Sequence, residues 1–182
     1  MKIIVLSDTH GKLKKVYDIM SKINDPDLII HCGDYCSDAQ TIEEEFGIPV
    51  ESVPGNCDGG GRDSYKIIDT PAGKIMITHG HELGAGYNET LLLYSAEEQE
   101  CKAVCFGHTH VPVCEKIDGI YLITPGSLSK PRDGSSGSYA VITVEKENMY
   151  ANIVYYDTIC GGGSEKPKGG YIRGMLNYSD RF

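Results

Sequence analysis

The sequence predicts an α/β fold in which two β-sheets pack face to face and are flanked by helices. Three observations lead there. Residues 2–53 alternate short apolar runs with amphipathic stretches in the order β-α-β-α-β, which implies a parallel sheet with helical crossovers. From residue 64 onward the chain is dominated by hairpin patterns, with one helix among them. The 182 residues are 40% hydrophobic and 24% charged, without an internal repeat, which fits one globular domain with a sizeable core.

Taken in order, KIIVL at 2–6 is short, β-branched and closed by polar residues, as a buried strand should be. In 12–23, Leu13, Val16, Ile19, Met20 and Ile23 recur three to four apart and predict an amphipathic helix. DLIIH at 27–31 is a second buried strand. Asp38 is read as the N-cap of a helix that runs to Phe46 and stops at Gly47. Residues 49–53 form a third strand. SYKIIDTPAGKIMITHG reads as a hairpin about Pro-Ala-Gly, followed by a helix over 88–99 capped by Asn88 and a strand over 102–106. Two more hairpins follow, 112–117 with 120–124 across Asp118-Gly119, and 138–145 with 149–157 across Lys146–Asn148. Residues 161–170, GGGSEKPKGG, have the composition of a flexible linker. The apolar residues Tyr171, Ile172, Met175, Leu176, Tyr178 and Phe182 suit a segment that docks, on its own domain or on a neighbouring copy. The expected organisation is therefore a domain over 1–157 and a linker with a docking tail over 158–182.

Composition excludes several classes. No apolar run approaches a membrane span, and MKIIVLSDTHG breaks too early for a signal peptide, so a cytoplasmic protein without a membrane partner is expected. A net charge of −9 argues against nucleic acid as a partner, because phosphate-coating surfaces need clustered Lys and Arg. Seven cysteines, an odd number without an export signal, read as free thiols, including the CxxxC pairs Cys32/Cys36 and Cys101/Cys105.

The chemistry sits at the strand ends. Asp8 and His10 follow the first strand, Gly33 and Asp34 the second, and Gly55, Asn56, Cys57 and Asp58 the third. His79 and His81 end the hairpin, and His108 and His110 follow the strand at 102–106. Sites in α/β sheets form beyond the carboxyl ends of strands, so five clusters would converge. Asp8, His10, Asp34, Asn56, His79, His108 and His110 supply oxygen and imidazole ligands that suit hard or borderline divalent ions. Seven ligands exceed the need of one ion with an open position and suit two that share a carboxylate. Such a pair, about 3.5–4 Å apart, clamps a phosphoryl group and acidifies a water.

The series DTH (8–10), GD (33–34), GNCD (55–58), HGH (79–81) and GHTH (107–110) resembles the signature of the calcineurin-like metallophosphoesterases, in particular the small YfcE-type phosphodiesterase branch. The resemblance runs over residues 1–157. It implies a four-layer αββα sandwich and a metal-dependent phosphodiesterase acting on a small phosphodiester. Two divalent ions are implied as cofactors, with Mn²⁺ the first choice and Ni²⁺, Fe and Zn²⁺ compatible. One ion would lie among Asp8, His10, Asp34 and His110, the other among Asp34, Asn56, His79 and His108, with a hydroxide between them as nucleophile. Asp34, Asn56 and His81 are the expected catalytic residues; Cys57, Arg62 and Arg132 are the expected substrate contacts. On a strand end, His108 and His110 would point the same way with Thr109 turned aside, each serving one ion. Many superfamily members carry His where this chain has Cys57, and a thiol with a pKa of about 8.5 is the poorer proton donor. That favours diesters or activated esters. His31 is expected in the core or behind the ligands. A homodimer or homotetramer is compatible with the sequence. The second reading is a non-catalytic interaction scaffold, like the small phosphoesterase-like subunit of retromer. A nuclease fits less well with the charge.

Overall fold

The computed structural model describes residues 1–59 and 65–161. Two five-stranded mixed sheets form its middle. The first has the order β10-β9-β1-β2-β3, built from β1 (Lys2–Leu6), β2 (Leu28–His31), β3 (Val50–Ser52), β9 (Ser138–Glu145) and β10 (Asn148–Tyr155). Its β1, β2 and β3 are parallel, while β9 runs antiparallel to β1 and to β10. The second has the order β4-β5-β6-β8-β7, from β4 (Tyr65–Thr70), β5 (Gly73–Thr78), β6 (Cys101–Cys105), β7 (Val113–Ile117) and β8 (Ile120–Thr124). Here β5, β6 and β8 are parallel and the two edge strands antiparallel.

Burial explains the uninterrupted apolar runs. In β1, Ile3 and Val5 face the other sheet, among Ile30, Ile75, Ile77, Cys105 and Ile123. The alternate residues Ile4 and Leu6 face the opposite way, among Val16, Ile19 and Ile42. These last belong to α1 (Lys14–Met20) and α2 (Cys36–Phe46). In the second sheet Met76, Val104 and Leu122 turn outward onto Leu92 and Ala96 of α3 (Thr90–Glu98). Both faces of each parallel core are covered, so no polar alternation survives in the sequence. Each fully buried Ile contributes about 1.5–3 kcal/mol. The layers are helix, sheet, sheet, helix: the αββα sandwich.

Several element boundaries differ from expectation. Asp38 does not cap α2. The helix starts three residues earlier, after Tyr35, which is left-handed at φ 82°. Its first amides are met instead by Asp58, whose Oδ1 accepts from Tyr35 N at 2.9 Å and Cys36 N at 2.7 Å. Helix α1 is shorter than the apolar periodicity, with Leu13 at its N-cap and Ser21 at its C-cap. Helix α3 begins at Thr90, whose N–H donates to Asn88 Oδ1 at 3.0 Å from outside the helix. The final strand stops at Tyr155, and α4 (Tyr156–Cys160) follows. Tyr156 donates to Asp18 Oδ2 at 2.7 Å, tying α4 to α1. Arg62 and the expected tail from residue 162 lie outside the described residues. Among the described residues, no helix is long and apolar enough to cross a membrane. All seven cysteines are free thiols.

Candidate metal centre

The loops that follow β1, β2, β3, β5 and β6 carry the five sequence clusters to one edge of the sandwich. There Asp8, His10, Asp34 and His110 each offer a ligand atom, all within 4.8 Å of one another. His110 Nε2 lies 3.3 Å from Asp8 Oδ1 and 3.5 Å from His10 Nε2, and His10 Nε2 lies 3.7 Å from Asp34 Oδ2. The other oxygen of Asp34 faces the second group. Asp34 Oδ1 is 3.5 Å from His79 Nε2. Asn56 Oδ1 sits 3.0 Å from both His79 Nε2 and His108 Nδ1. Asp34 thus stands between two sets of donors. His81 is beside the second set, its ring 5.4 Å from that of His79 and 6.1 Å from that of His108.

The backbone is strained where the ligands are. Asp8, His10, Asp34, His108 and His110 all have positive φ, between 49° and 70°. Non-glycine residues seldom adopt this region, and each such residue costs about 1–3 kcal/mol. The sequence implied that His108 and His110 point the same way off a strand end; instead two left-handed residues aim one ring at Asn56 and the other at Asp8. Two glycines are sterically required. At Gly33, with φ 95°, a Cβ would lie 2.7 Å from His79 Nδ1, and at Gly107 it would collide with Ser7 Oγ and Asp8 Oδ2.

Neighbouring groups fix the ring orientations. His79 Nδ1 lies 2.7 Å from the carbonyl of Cys32, and His110 Nδ1 lies 2.7 Å from that of Lys130. A carbonyl only accepts, so each Nδ1 carries the proton and each Nε2 presents its lone pair to the site. Asp38 is buried beneath the first loop, where it accepts from Thr9 Oγ1 at 2.6 Å and Gly11 N at 2.8 Å. Since Thr9 gives its proton to Asp38, the 3.0 Å contact between Thr9 Oγ1 and His31 Nε2 is donated by His31. The loop after β8, in which the sequence marked Arg132 alone, completes the support. Ser127 Oγ and Ser129 Oγ each donate to the Asp8 carbonyl at 2.9 Å.

Titration follows from this packing. Burial opposes ionisation of Asp8, but His110 and Ser7 outweigh it, and its pKa is lowered. Burial likewise works against protonated His110, and the Asp8 carboxylate overcomes it, so its pKa is raised. For His10 and His108 burial prevails and both pKa values fall, helped at His10 by the Lys130 charge. Both rings are then neutral, as ligands must be. Cys57 is exposed, and contact with Asp34 raises its pKa. Its backbone N–H donates to Asp34 Oδ1 at 2.9 Å. Arg132 is exposed and holds the site through its backbone, donating from N to the His110 carbonyl at 3.1 Å.

The donor set fits a divalent cation. Asp8 Oδ1 is fully buried, yet no aligned hydrogen bond from the described residues reaches it. A buried carboxylate oxygen in that state costs several kcal/mol, roughly, without a positive partner. Two imidazole nitrogens and two carboxylates meeting at one point are the chemistry such an ion satisfies.

Comparison with known proteins agrees. A family model for the calcineurin-like phosphoesterase superfamily domain matches residues 1–147. "Probable metallophosphoesterase YsnB" of Bacillus subtilis is 35% identical over 159 residues, covering 86% of this chain and 91% of that protein. "Phosphodiesterase YfcE" of Escherichia coli is 26% identical over 170 residues, covering 78% and 87%. A crystal structure of a "predicted phosphoesterase" from Streptococcus pneumoniae superposes with a TM-score of 0.71 at 28% identity, over 86% of this chain and 90% of that one. Vps29 of Entamoeba histolytica, crystallised with zinc, shares the fold at a TM-score of 0.68 and 17% identity, over 86% and 99%. Motif series, sandwich and relatives converge on one assignment: the chain belongs to the calcineurin-like phosphoesterase superfamily.

Proposed function

We propose that this protein is a metal-dependent phosphoesterase that hydrolyses small phosphodiesters at a dinuclear centre. The observation that carries the reading is the placement of Asp34, with one carboxylate oxygen toward His10 and the other toward His79 and the Asn56 group. Asp8, His10, Asp34 and His110 would hold one divalent ion; Asp34, Asn56, His79 and His108 would hold the second. Mn²⁺ is the first choice, and Ni²⁺, Fe or Zn²⁺ suit the same donors. When bound, the pair would supply Lewis acidity, lowering the pKa of a water and neutralising charge on the phosphoryl group.

The chain's own residues do the rest. Cys32 and Lys130 carbonyls keep His79 and His110 in the tautomer that presents Nε2. Cys57 N–H and the 3₁₀ turn over Asn56–Asp58 hold Asp34 Oδ1 and the Asn56 amide in place. His81 borders the second group of donors and would orient substrate there. Cys57 keeps its thiol proton, so departure of the alcohol relies on a leaving group stable as an anion. That supports diesters with acidic alcohols over simple monoesters. Arg132 is offered as a contact for the substrate, as is Arg62 by its place after the GNCD motif.

The test uses bis(p-nitrophenyl) phosphate in Mn²⁺. Asp34→Asn and His108→Ala are expected to abolish hydrolysis while circular dichroism and Tm stay near wild type; undiminished turnover in either variant sinks the assignment. The fold likeness to Vps29 leaves open a second reading, a metal-binding interaction scaffold. Bound metal without turnover across a broad phosphoester panel would favour it.

A further inference from the structure

Beside the metal centre lies a cleft of about 450 Å³ that the catalytic reading leaves without a task. It is lined by His108 but not by Asp34, and lies between the loop leading into α3 and the start of β7. A volume in this range suits an organic group of moderate size. Its walls differ in character from the ligand cluster. Val111 and Val113 supply an apolar side, Tyr87 lines it from a position 95% exposed, and Arg132 lines it from the loop after β8. Phenol and guanidinium share one preference: both stack on flat π faces. The entry loop is held close, since a Cβ on Gly86 would lie 3.3 Å from Thr109 Cγ2.

We propose that this cleft is a substituent pocket that selects phosphoesters bearing an aromatic or heterocyclic group, with Tyr87, Val111 and Arg132 as its specificity-determining side chains. The proposal rests on the phosphoesterase reading and deepens it. The phosphoryl group would sit at the donors around Asp34, and the ring would lie past His108 with its face toward Tyr87 and Arg132. An alkyl group of the same length would bury less surface and offer no face to stack.

The test compares phenylphosphonate, cyclohexylphosphonate and methylphosphonate, none of which is hydrolysed, binding to the full chain in Mn²⁺ buffer by calorimetry. Phenylphosphonate is expected to bind at least about tenfold tighter than methylphosphonate, the scale of a buried ring. Tyr87→Ala and Val111→Asp should bring the two within about threefold of each other while leaving methylphosphonate binding unchanged. Tyr87 is almost fully exposed, so its removal leaves the fold untouched even if Val111→Asp disturbs it. Equal binding of phenyl and methyl compounds in the wild type overturns the pocket, as does absence of phenylphosphonate binding. Cyclohexyl binding as tight as phenyl overturns its aromatic preference. The two readings fail separately: a wild type that prefers phenylphosphonate yet hydrolyses no phosphoester keeps the pocket and loses the activity, and the reverse result keeps the activity alone.

Discussion

The two groups of donors that meet at Asp34 are built differently. Asp8, Asp34 and His110 are buried, and the Asp8 loop is held from both sides, by Asp38 through Thr9 and Gly11 and by Ser127 and Ser129 through the Asp8 carbonyl. The second group has one fully buried member, His79, with Asn56 exposed and His108 half-buried. It also brings less charge: its one carboxylate is Asp34, shared with the first. Cation affinity rises with ligand charge and rigidity. Under the proposed dinuclear reading, the first group would be the preformed, tighter site and the second a weaker one that opens onto the cleft where substrate would enter.

The most severe way to break this contrast is to remove what the halves share. Asp34→Asn takes the only carboxylate from the second group and half the charge from the first. Turnover of bis(p-nitrophenyl) phosphate should fall at least about 1,000-fold, roughly 4 kcal/mol of transition-state stabilisation. A loss under about tenfold would mean that Asp34 does not join the two groups.

Next in size is the difference in affinity itself. Calorimetric titration with Mn²⁺ should resolve two steps, the tighter by at least about tenfold. His108→Ala should delete the weak step and spare the tight one, while His110→Ala should weaken the tight one. A single step, or two equal ones, would erase the distinction.

A third test sharpens the claim that rigidity matters. Asp38 touches no ligand side chain, yet it fixes the loop between Asp8 and His10. Asp38→Ala should weaken the tight step by about 10–100-fold, as loss of outer-shell support does, and Asp38→Asn should recover part of it through its remaining amide oxygen. Unchanged affinity in the alanine variant would show that the loop holds its own shape.

These regions were also unequally legible in the sequence. The strands announced themselves because both faces of each parallel core are buried, and the clusters at their ends stood out as Asp, Asn and His beside glycine. What stayed hidden acts through the backbone or across the fold. Ser127 and Ser129 support Asp8 through its carbonyl, which any residue possesses, so nothing in PGSLSKPR marks it. Asp38 looked like a helix cap because an acidic residue near a helix start usually is one. Its carboxylate is instead turned under a loop 27 residues earlier in the chain. The left-handed turns that separate His108 from His110 were equally invisible, since they arise from packing and not from residue type.

The smallest effect concerns His31, at the far end of the Asp38–Thr9 chain. It is fully buried, it donates from Nε2 to Thr9, and its Nδ1 has no hydrogen-bond partner among the described residues. Burial lowers its pKa, with the carboxylates of Asp8 and Asp38 only partly compensating. The folded state therefore holds His31 neutral, whereas the unfolded chain protonates it below pH about 6.5. Between those two pKa values the unfolded state binds the extra proton, so the stability that His31 allows is complete above pH about 6.5 and declines as the pH falls. Urea unfolding at pH 7.5 and 5.5 should show wild type losing about 1 kcal/mol more than His31→Gln, a variant that can still donate to Thr9 and cannot titrate. His10, His108 and His110 titrate in both proteins and cancel in the difference. Parallel losses would mean that the pocket around His31 accommodates its charge, and the first half of the site would then be less rigid than its hydrogen bonds imply.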